Sequence, residues 1–454
     1  MKDSKFIREI KLLINFVRSY RIQHLDYHVD INSLSSIEIN ERNEIIKKIH
    51  TGFFLAQNNV IRLLTKVLNE QKELKKQLKE SRRNHDEQSS KEYENKLNKV
   101  KYQECTLRKI MDSIAWQIFN YDLSSIRRLY TGNRCIDITD SNLMSEIDFI
   151  DSHKEHNPTD FVLINDLTSF LQIGDITIVN KDKKTQIVEL KTGKVNNEIL
   201  DIINDFSTNL CPQKLSYTLA SKDEKFIKQL RRDIKQMQKA ANVESILNTG
   251  EGFDNVLEQN IKIIQEEIEL DTFSGQLSSL IKKCQKKNYA ISIIENCLCI
   301  GVYNTNKFPS TAFDVWINPL KFKTPVFDLK QSLTIPLAYP LFLHPFSDNI
   351  LADIVSGDIV IKMAINIEAL FKKFEEKGLK AKWLSQKETA RINTRLKGAN
   401  HLYMIDGCGI SIEKDGKSYF LFDGLILRMF SNLNTPSAIV KYVLSTFDYT
   451  TDEK

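Results

Sequence analysis

The sequence has no apolar run near the ~18 residues that a membrane-spanning helix needs, and it opens without the apolar core of a secretory signal peptide. Its seven cysteines are odd in number, and no pair has the spacing of a zinc site. The net charge is only +5, so any surface that binds nucleic acid must be local. We therefore expect a cytoplasmic protein with reduced thiols and no membrane partner.

Two common catalytic motifs are also missing. No Gly-x-Ser-x-Gly nucleophile elbow occurs. The tripeptide 192–194, Thr-Gly-Lys, ends like a phosphate-binding loop, but Val188 occupies the position of that loop's first glycine and Val195 replaces its Ser or Thr. His24 and His28 are four residues apart, but no third metal ligand has a matching spacing. The sequence thus disfavours a serine hydrolase, a P-loop enzyme and a zinc enzyme.

A chain of 454 residues is too long for one compact core, and we expect two or three domains. The pattern predicts a helical region over 1–104, a mixed core over 105–304 and an α+β module over 305–454. The core and the module together predict a mixed α/β (α+β) fold class.

Heptad-like spacing dominates the first region. Two runs follow a 4-3-4 pattern of largely apolar residues: Val60, Leu64, Val67, Gln71, Leu74 and Leu78, then Tyr93, Leu97, Val100, Glu104, Leu107 and Met111. This pattern predicts either an antiparallel helical hairpin or a dimerising coiled coil. The helices over 60–111 could therefore bind a second copy of the chain or a partner protein.

A β-hairpin is predicted over 172–194. Two runs rich in Ile and Val, 173–179 and 186–190, flank the charged turn 181–184. Because side chains alternate along a strand, Glu189 and Lys191 lie on one face. Pairing of the two strands brings Asp175 beside them.

The segment after the hairpin combines an irregular stretch with predicted helices and strands. Residues 195–219 look irregular, and 225–241 predict a helix with an apolar face at Phe226, Leu230, Ile234 and Met237. A basic stripe and two glutamines on that helix match the contacts that proteins make to phosphates: Lys228, Gln229, Arg232, Lys235, Gln236 and Lys239. Residues 256–283 predict a helix, and 289–294 and 297–303 predict strands of the same sheet as the hairpin.

The C-terminal module carries clear local signals. Ser385 and Glu388 form a capping box at the start of a helix, and Asp415-Gly416 predicts a hairpin turn. Ser347–Ser356 predicts a helix that ends at Gly357. None of these signals indicates what the module binds.

Asp175, a gap of thirteen residues and then Glu189-Leu190-Lys191 resemble the motif of the PD-(D/E)xK nuclease superfamily. Gly174 occupies the position of that motif's proline. The resemblance implies an αβββαβ restriction-endonuclease-like core. It also implies metal-dependent hydrolysis of phosphodiester bonds, with DNA as the default substrate, and a role in restriction or phage defence.

The resemblance assigns roles to single residues. Asp175, Glu189 and Lys191 are the expected catalytic residues, and Asp175, Glu189 and the Leu190 carbonyl are the expected ligands of Mg²⁺ or Mn²⁺. Alternatives stay open for the metal: Asp166 competes as the first carboxylate, and Glu146 or Asp112 could be a further ligand.

Some superfamily members carry a Gln-x-x-x-Tyr element on the helix after the lysine. Gln213 and Tyr217 have that spacing, but the segment beside Pro212 does not look helical, so Gln229 or Gln236 is preferred by position. A different class of function is a non-catalytic scaffold or nucleic-acid-binding protein that keeps the nuclease fold. An adaptor without nucleic-acid contact is a third possibility.

Overall fold

The computed structural model describes residues 4–18, 35–139, 143–180, 184–191, 193–263, 270–304, 309–320, 324–396 and 401–449. Over these ranges the fold mixes helices with small antiparallel sheets, which confirms the α+β class. The candidate metal pair His24 and His28 and the hairpin-turn residues 181–183 lie outside the described residues.

The first part of the chain is helical. Its helices are α1 (Ser4–Arg18), α2 (Ser36–Arg83) and α3 (Glu87–Ile118). Gln71 Nε2 donates to Glu104 Oε2 over 2.7 Å, and the Ser81 and Ser90 hydroxyls are 2.9 Å apart. Contacts that pair later residues of α2 with earlier residues of α3 show that the two heptad-like helices fold back as an antiparallel hairpin.

Contacts group the chain into two compact units. The first unit draws on Met1–Leu25, Gly52–Gln117 and Glu266–Lys454, and the second unit draws on Asp26–Thr51 and Ile118–Gln265. The predicted domain boundaries after residues 104 and 304 stay predictions.

The second unit contains the hairpin. Its elements are α4 (Leu123–Ile126), α5 (Leu143–His156), β1 (Phe161–Ile164), β2 (Ile176–Val179), β3 (Thr185–Val188), α6 (Lys194–Asn209), α7 (Pro212–Ala220), α8 (Glu224–Thr249), β4 (Glu251–Asp254) and β5 (Gln259–Lys262). β1, β2 and β3 form an antiparallel sheet in that order, and β4 pairs with β5 alone. The predicted hairpin is thus present as β2 and β3.

The second half of the first unit is a mixed region. Its elements are α9 (Ser274–Lys287), β6 (Tyr289–Ile294), β7 (Leu298–Tyr303), α10 (Pro309–Ile317), β8 (Phe327–Asp328), α11 (Asp348–Ser356), β9 (Val360–Ile365), α12 (Ile367–Glu375), β10 (Lys380–Trp383), α13 (Gln386–Arg395), β11 (Ile410–Lys414), β12 (Lys417–Phe420), α14 (Asp423–Ser431) and α15 (Pro436–Tyr449). The strands form two sheets, in the orders β6-β7-β9-β8 and β10-β11-β12.

Local signals in the C-terminal module are confirmed. The Ser385 hydroxyl accepts from the Glu388 N–H, and the Glu388 carboxylate accepts from the Ser385 N–H, so both halves of the capping box form. Ser347 caps α11, and Gly357 ends it with a φ of 80°. Asp415 and Gly416 connect β11 to β12 with positive φ angles, as a type I′ turn requires.

Three predictions about the sheet and its flanks are wrong. The strands over 289–303 pair with each other and with β9, so they belong to a different sheet from the hairpin. Residues 195–219 are mostly helical, as α6 and α7. Part of the predicted helix over 256–283 is the strand β5, and α9 begins only at Ser274.

No helix in the described ranges is long and apolar enough to cross a membrane. The seven cysteines lie within the described ranges, and none of them forms a disulfide.

Candidate active site at the end of the hairpin

The β2–β3 ladder brings Asp175 next to the Glu-x-Lys segment. Ile176 pairs with Val188, and the Asp175 N–H extends the ladder by donating to the Val188 carbonyl over 2.9 Å. Asp175 precedes β2 and Glu189 follows β3, so both residues lie at the same end of the hairpin. The Leu190 N–H donates to Asp175 Oδ2 over 2.6 Å, which ties the predicted first carboxylate directly to the second half of the motif.

Gly174 occupies a backbone position that proline could not adopt. Its φ is +71°, whereas the ring of proline fixes φ near −65°. A Cβ at this position would lie 2.3 Å from Ile187 Cγ2 and 3.1 Å from the Val188 carbonyl oxygen. The backbone enters β2 through a left-handed turn against the neighbouring strand, and only glycine fits there.

Asn165 holds that turn, and no motif in the sequence indicates this role. Its side-chain amide donates to the Ile173 and Gly174 carbonyls over 2.9 and 3.0 Å, and its N–H donates to the Asp175 carbonyl over 2.9 Å. Its Oδ1 accepts from the Thr177 hydroxyl over 2.7 Å. A fully buried asparagine with these partners fixes the backbone that presents Asp175.

Negative charge accumulates around Asp175. Burial, and then the Glu189 and Asp166 carboxylates, raise the pKa of Asp175 to about 6, against the opposing effects of the Leu190 N–H and Lys191. Burial, and then Asp166 and Asp175, raise the pKa of Glu146 to about 8. Both open alternatives from the sequence, Asp166 and Glu146, therefore lie close enough to act on the Asp175 carboxylate.

Glu146 is a buried acid with a carboxylate oxygen that receives no hydrogen bond from the described residues. It lies on α5 with 2% of its surface exposed, and its Oε2 has no hydrogen-bond partner among the described residues. A buried carboxylate oxygen without a donor is costly unless it is protonated or meets a cation. The excess negative charge at this end of the hairpin suits a cation.

The Lys191 amine lies among three oxygen atoms. Its Nζ is 2.8 Å from Gln236 Oε1, 3.1 Å from Glu189 Oε1 and 3.4 Å from Asp233 Oδ1. The lysine side chain as a whole is 12% exposed. Glu189 and Lys191 therefore meet as predicted, although both lie beyond the end of β3 rather than within the strand, and Asp233 was missed.

The helix α8 is held against the outer edge of β3 by side-chain hydrogen bonds. Asn248 accepts from the Thr185 N–H over 2.7 Å and donates to the Thr185 carbonyl over 2.8 Å, and Glu244 accepts from the Ile187 N–H. These bonds satisfy edge groups that a further strand would otherwise pair. The helix thus occupies the place in which the sequence predicted another strand.

This attachment divides the predicted nucleic-acid residues into two sets. Lys228, Arg232 and Lys235 are exposed, and Lys228 pairs with Glu224 over 2.6 Å. Gln229 and Gln236 point inward, to Asn196 and Lys191 respectively. They do not extend the basic stripe.

Lys239 is half-buried, and burial lowers its pKa. The apolar face predicted for α8 is correct for Phe226 and Leu230, which are buried. It is wrong for Ile234 and Met237, which are 37% and 38% exposed. The helix is turned so that polar Asp233 and Gln236 face the hairpin instead.

Asp112, Gln213 and Tyr217 are also candidates from the sequence. Asp112, in the first unit, forms a fully buried pair with Lys109 over 2.9 Å. Gln213 and Tyr217 do lie on a helix, α7, contrary to expectation, but Tyr217 is 86% exposed. Gln236 is the glutamine that contacts the lysine.

The donor set is suited to Mg²⁺ or Mn²⁺, which prefer oxygen ligands. Asp175, Glu189 and the Leu190 carbonyl supply such oxygens, and the unpartnered Glu146 oxygen is an observation that favours a cation. Among the described residues, however, no three His, Cys, Asp or Glu side chains are arranged closely enough to hold a metal ion. Metal binding would therefore require the carboxylates to draw together.

Comparison with known proteins adds no assignment: no protein-family model matches the chain, and no curated protein or solved structure matches it.

Proposed function

We propose that this protein is a Mg²⁺- or Mn²⁺-dependent nuclease that hydrolyses phosphodiester bonds of DNA. The observation that carries the proposal is the meeting of Asp175, Glu189 and Lys191 at one end of a hairpin, with the Asp175 carboxylate bonded to the Leu190 N–H. This is the set of groups that the resemblance to the PD-(D/E)xK superfamily requires.

Asp175 and Glu189 would hold the metal with the Leu190 carbonyl, and Glu146 is the best-placed further carboxylate. A bound divalent ion supplies a Lewis acid for the phosphate and lowers the pKa of a water. Raised pKa values at Asp175 and Glu146 support this assignment, because a site with more carboxylates than its own lysine can offset favours an added cation.

Lys191 is the cationic group that the protein itself would contribute to the reaction. Its amine is anchored between Glu189 and Gln236, and its side chain is partly exposed. A cation held at that point stabilises negative charge that develops on a phosphate in the transition state, and it orients the attacking water. The exposed cations of α8 (Lys228, Arg232 and Lys235) would contact the backbone of the nucleic acid nearby.

The test is cleavage of linear and supercoiled DNA by the purified protein in Mg²⁺ or Mn²⁺. Wild type should cut, and Lys191→Ala should lose at least about 100-fold in rate, the scale for removal of a preorganised transition-state donor. Lys214→Ala is the matched control, because Lys214 is a half-exposed lysine of the same unit that pairs with Asp205. Equal rates for wild type and Lys191→Ala, or no cleavage by wild type, would overturn the proposal.

A second candidate is a non-catalytic nucleic-acid-binding scaffold that keeps these residues for structure. The absence of a ready three-ligand metal group among the described residues favours it. Such a scaffold would bind nucleic acid in a salt-sensitive way, and the binding would not change on substitution of Asp175 or Glu189.

A further inference from the structure

Asp233 carries a charge that the motif does not use. It lies on α8 with 1% of its surface exposed, and neither carboxylate oxygen accepts a hydrogen bond from the described residues. Burial of a carboxylate costs several kcal/mol unless a cation compensates it. The Lys191 amine, 3.4 Å away, and the Arg232 Nε, 3.7 Å away, provide that compensation.

We propose that Asp233 is a positioning residue that fixes the Lys191 amine for the reaction. This inference rests on the proposed nuclease function, and it assigns a role to a residue outside the Asp…Glu-x-Lys motif. Asp233 does not touch the reacting atoms in this account, and it acts only through the lysine.

The reason lies in the partners that Lys191 would otherwise have. A lysine side chain has four carbons and about 2 kcal/mol of rotamer entropy, so it does not stay in place without partners. Glu189 is itself a proposed metal ligand, so its negative charge would be shared between the metal ion and the lysine. Asp233 gives the amine an anionic partner of its own, and Gln236, one helical turn further along α8, adds a neutral acceptor at 2.8 Å.

The framework around Asp233 is built to hold that geometry. The Asn248 and Glu244 side chains attach α8 to the backbone of β3 at Thr185 and Ile187. Asp233 and Gln236 lie on the same face of α8, near its middle, and contact Lys191, three residues after the end of β3. The spacing between α8 and the hairpin is therefore set by bonds that do not involve the lysine.

Asp233→Asn is the informative variant, because it removes the charge and keeps the shape. With DNA and Mg²⁺ we expect kcat to fall by about 10- to 100-fold, with KM nearly unchanged, since misplacement of a catalytic group costs on that scale. Asp233→Glu should recover part of the loss. In the Lys191→Ala background, Asp233→Asn should cause no further loss. Glu224→Gln, which changes an exposed carboxylate on the same helix, should leave kcat unchanged.

A second measurement does not depend on cleavage. Acetylation of lysines by a water-soluble ester, mapped by mass spectrometry on metal-free protein, reports how tightly the Lys191 amine is enclosed. Lys191 should be modified slowly in wild type and at least about threefold faster in Asp233→Asn, while Lys214 reacts alike in both.

The two measurements distinguish a failure of the nuclease proposal from a failure of the positioning role of Asp233. If wild type cuts DNA and Asp233→Asn cuts equally well, the positioning role is wrong and the nuclease proposal survives. If wild type cuts nothing, the nuclease proposal fails, and unchanged acetylation of Lys191 in Asp233→Asn would then overturn the contact as well.

Discussion

Two lysine–aspartate pairs in this protein look alike and behave differently. Lys109 and Asp112, in the first unit, are both fully buried, and the lysine also donates to the Ile335 and Pro336 carbonyls over 2.8 and 3.1 Å. Lys191, in the second unit, meets one buried carboxylate, Asp233, and the half-buried carboxylate of Glu189, and stays partly exposed.

The two lysines differ in the number of carboxylates around them and in their exposure to solvent. At Lys109 the acceptors and the donor satisfy one another away from water, so the pair is a structural element of the core. At Lys191 one cation faces Glu189 and Asp233, with Asp175 and Glu146 nearby, and burial raises the pKa values of those last two acids. An excess of carboxylates beside a partly exposed lysine is typical of a site that binds something.

The largest expected effect is on stability at Lys109. Lys109→Met leaves Asp112 buried without its cation and should cost about 3–5 kcal/mol of unfolding free energy. Lys191→Met should cost only about 1–2 kcal/mol, because Glu189 can turn to water and Arg232 stays beside Asp233. Hydrogen exchange, read at α3 and at β3, measures each unit by itself.

Lys96→Met is the matched control on α3. Lys96 is an exposed residue paired with Glu92, and its replacement should leave the stability of the unit nearly unchanged. If Lys191→Met destabilises its unit as much as Lys109→Met destabilises the other, the contrast between the two pairs is wrong.

The stability should also depend on pH through Glu146. Its pKa rises from 4.5 to about 8 on folding, so the folded state retains a proton that the unfolded state releases. Wild type should therefore lose stability relative to Glu146→Gln as pH rises from about 4.5 to 8, by at most about 1.4 kcal/mol per pH unit. Below and above this window the difference should be constant.

Urea unfolding at several pH values gives that difference directly. Glu155→Gln, an exposed position on the same helix, should track wild type at every pH. Parallel stability curves for wild type and Glu146→Gln would show that folding does not raise the pKa of Glu146, and would contradict the effect assigned to burial and to the Asp166 and Asp175 carboxylates.

Local patterns in the sequence predicted much of this structure. The hairpin, the pairing of Glu189 with Lys191, the helical hairpin and the caps of α11 and α13 all depend on neighbours within a few residues or on a short repeat. They are confirmed because period and capping chemistry act locally.

The features that the sequence did not predict depend on contacts between residues far apart in the chain. The edge of β3 is covered by Asn248 and Glu244 rather than by a strand, and nothing in the local pattern of α8 indicates that its polar residues face inward. In the sequence, Asp233 is one of many charged residues on an amphipathic helix, and its contact with Lys191 is visible only in the structure. Asp112 was a candidate ligand because the sequence does not reveal that Lys109 neutralises it.

The most direct test of the central claim is the binding of Mg²⁺ and Mn²⁺ to metal-free protein by titration calorimetry. Wild type should bind a divalent ion and release protons as it does so, because Asp175 and Glu146 are partly protonated near neutral pH. Glu189→Ala should bind at least about tenfold more weakly, and Glu155→Gln should bind as wild type does. Binding that is absent in wild type, or identical in Glu189→Ala, would contradict a metal site at the end of the hairpin.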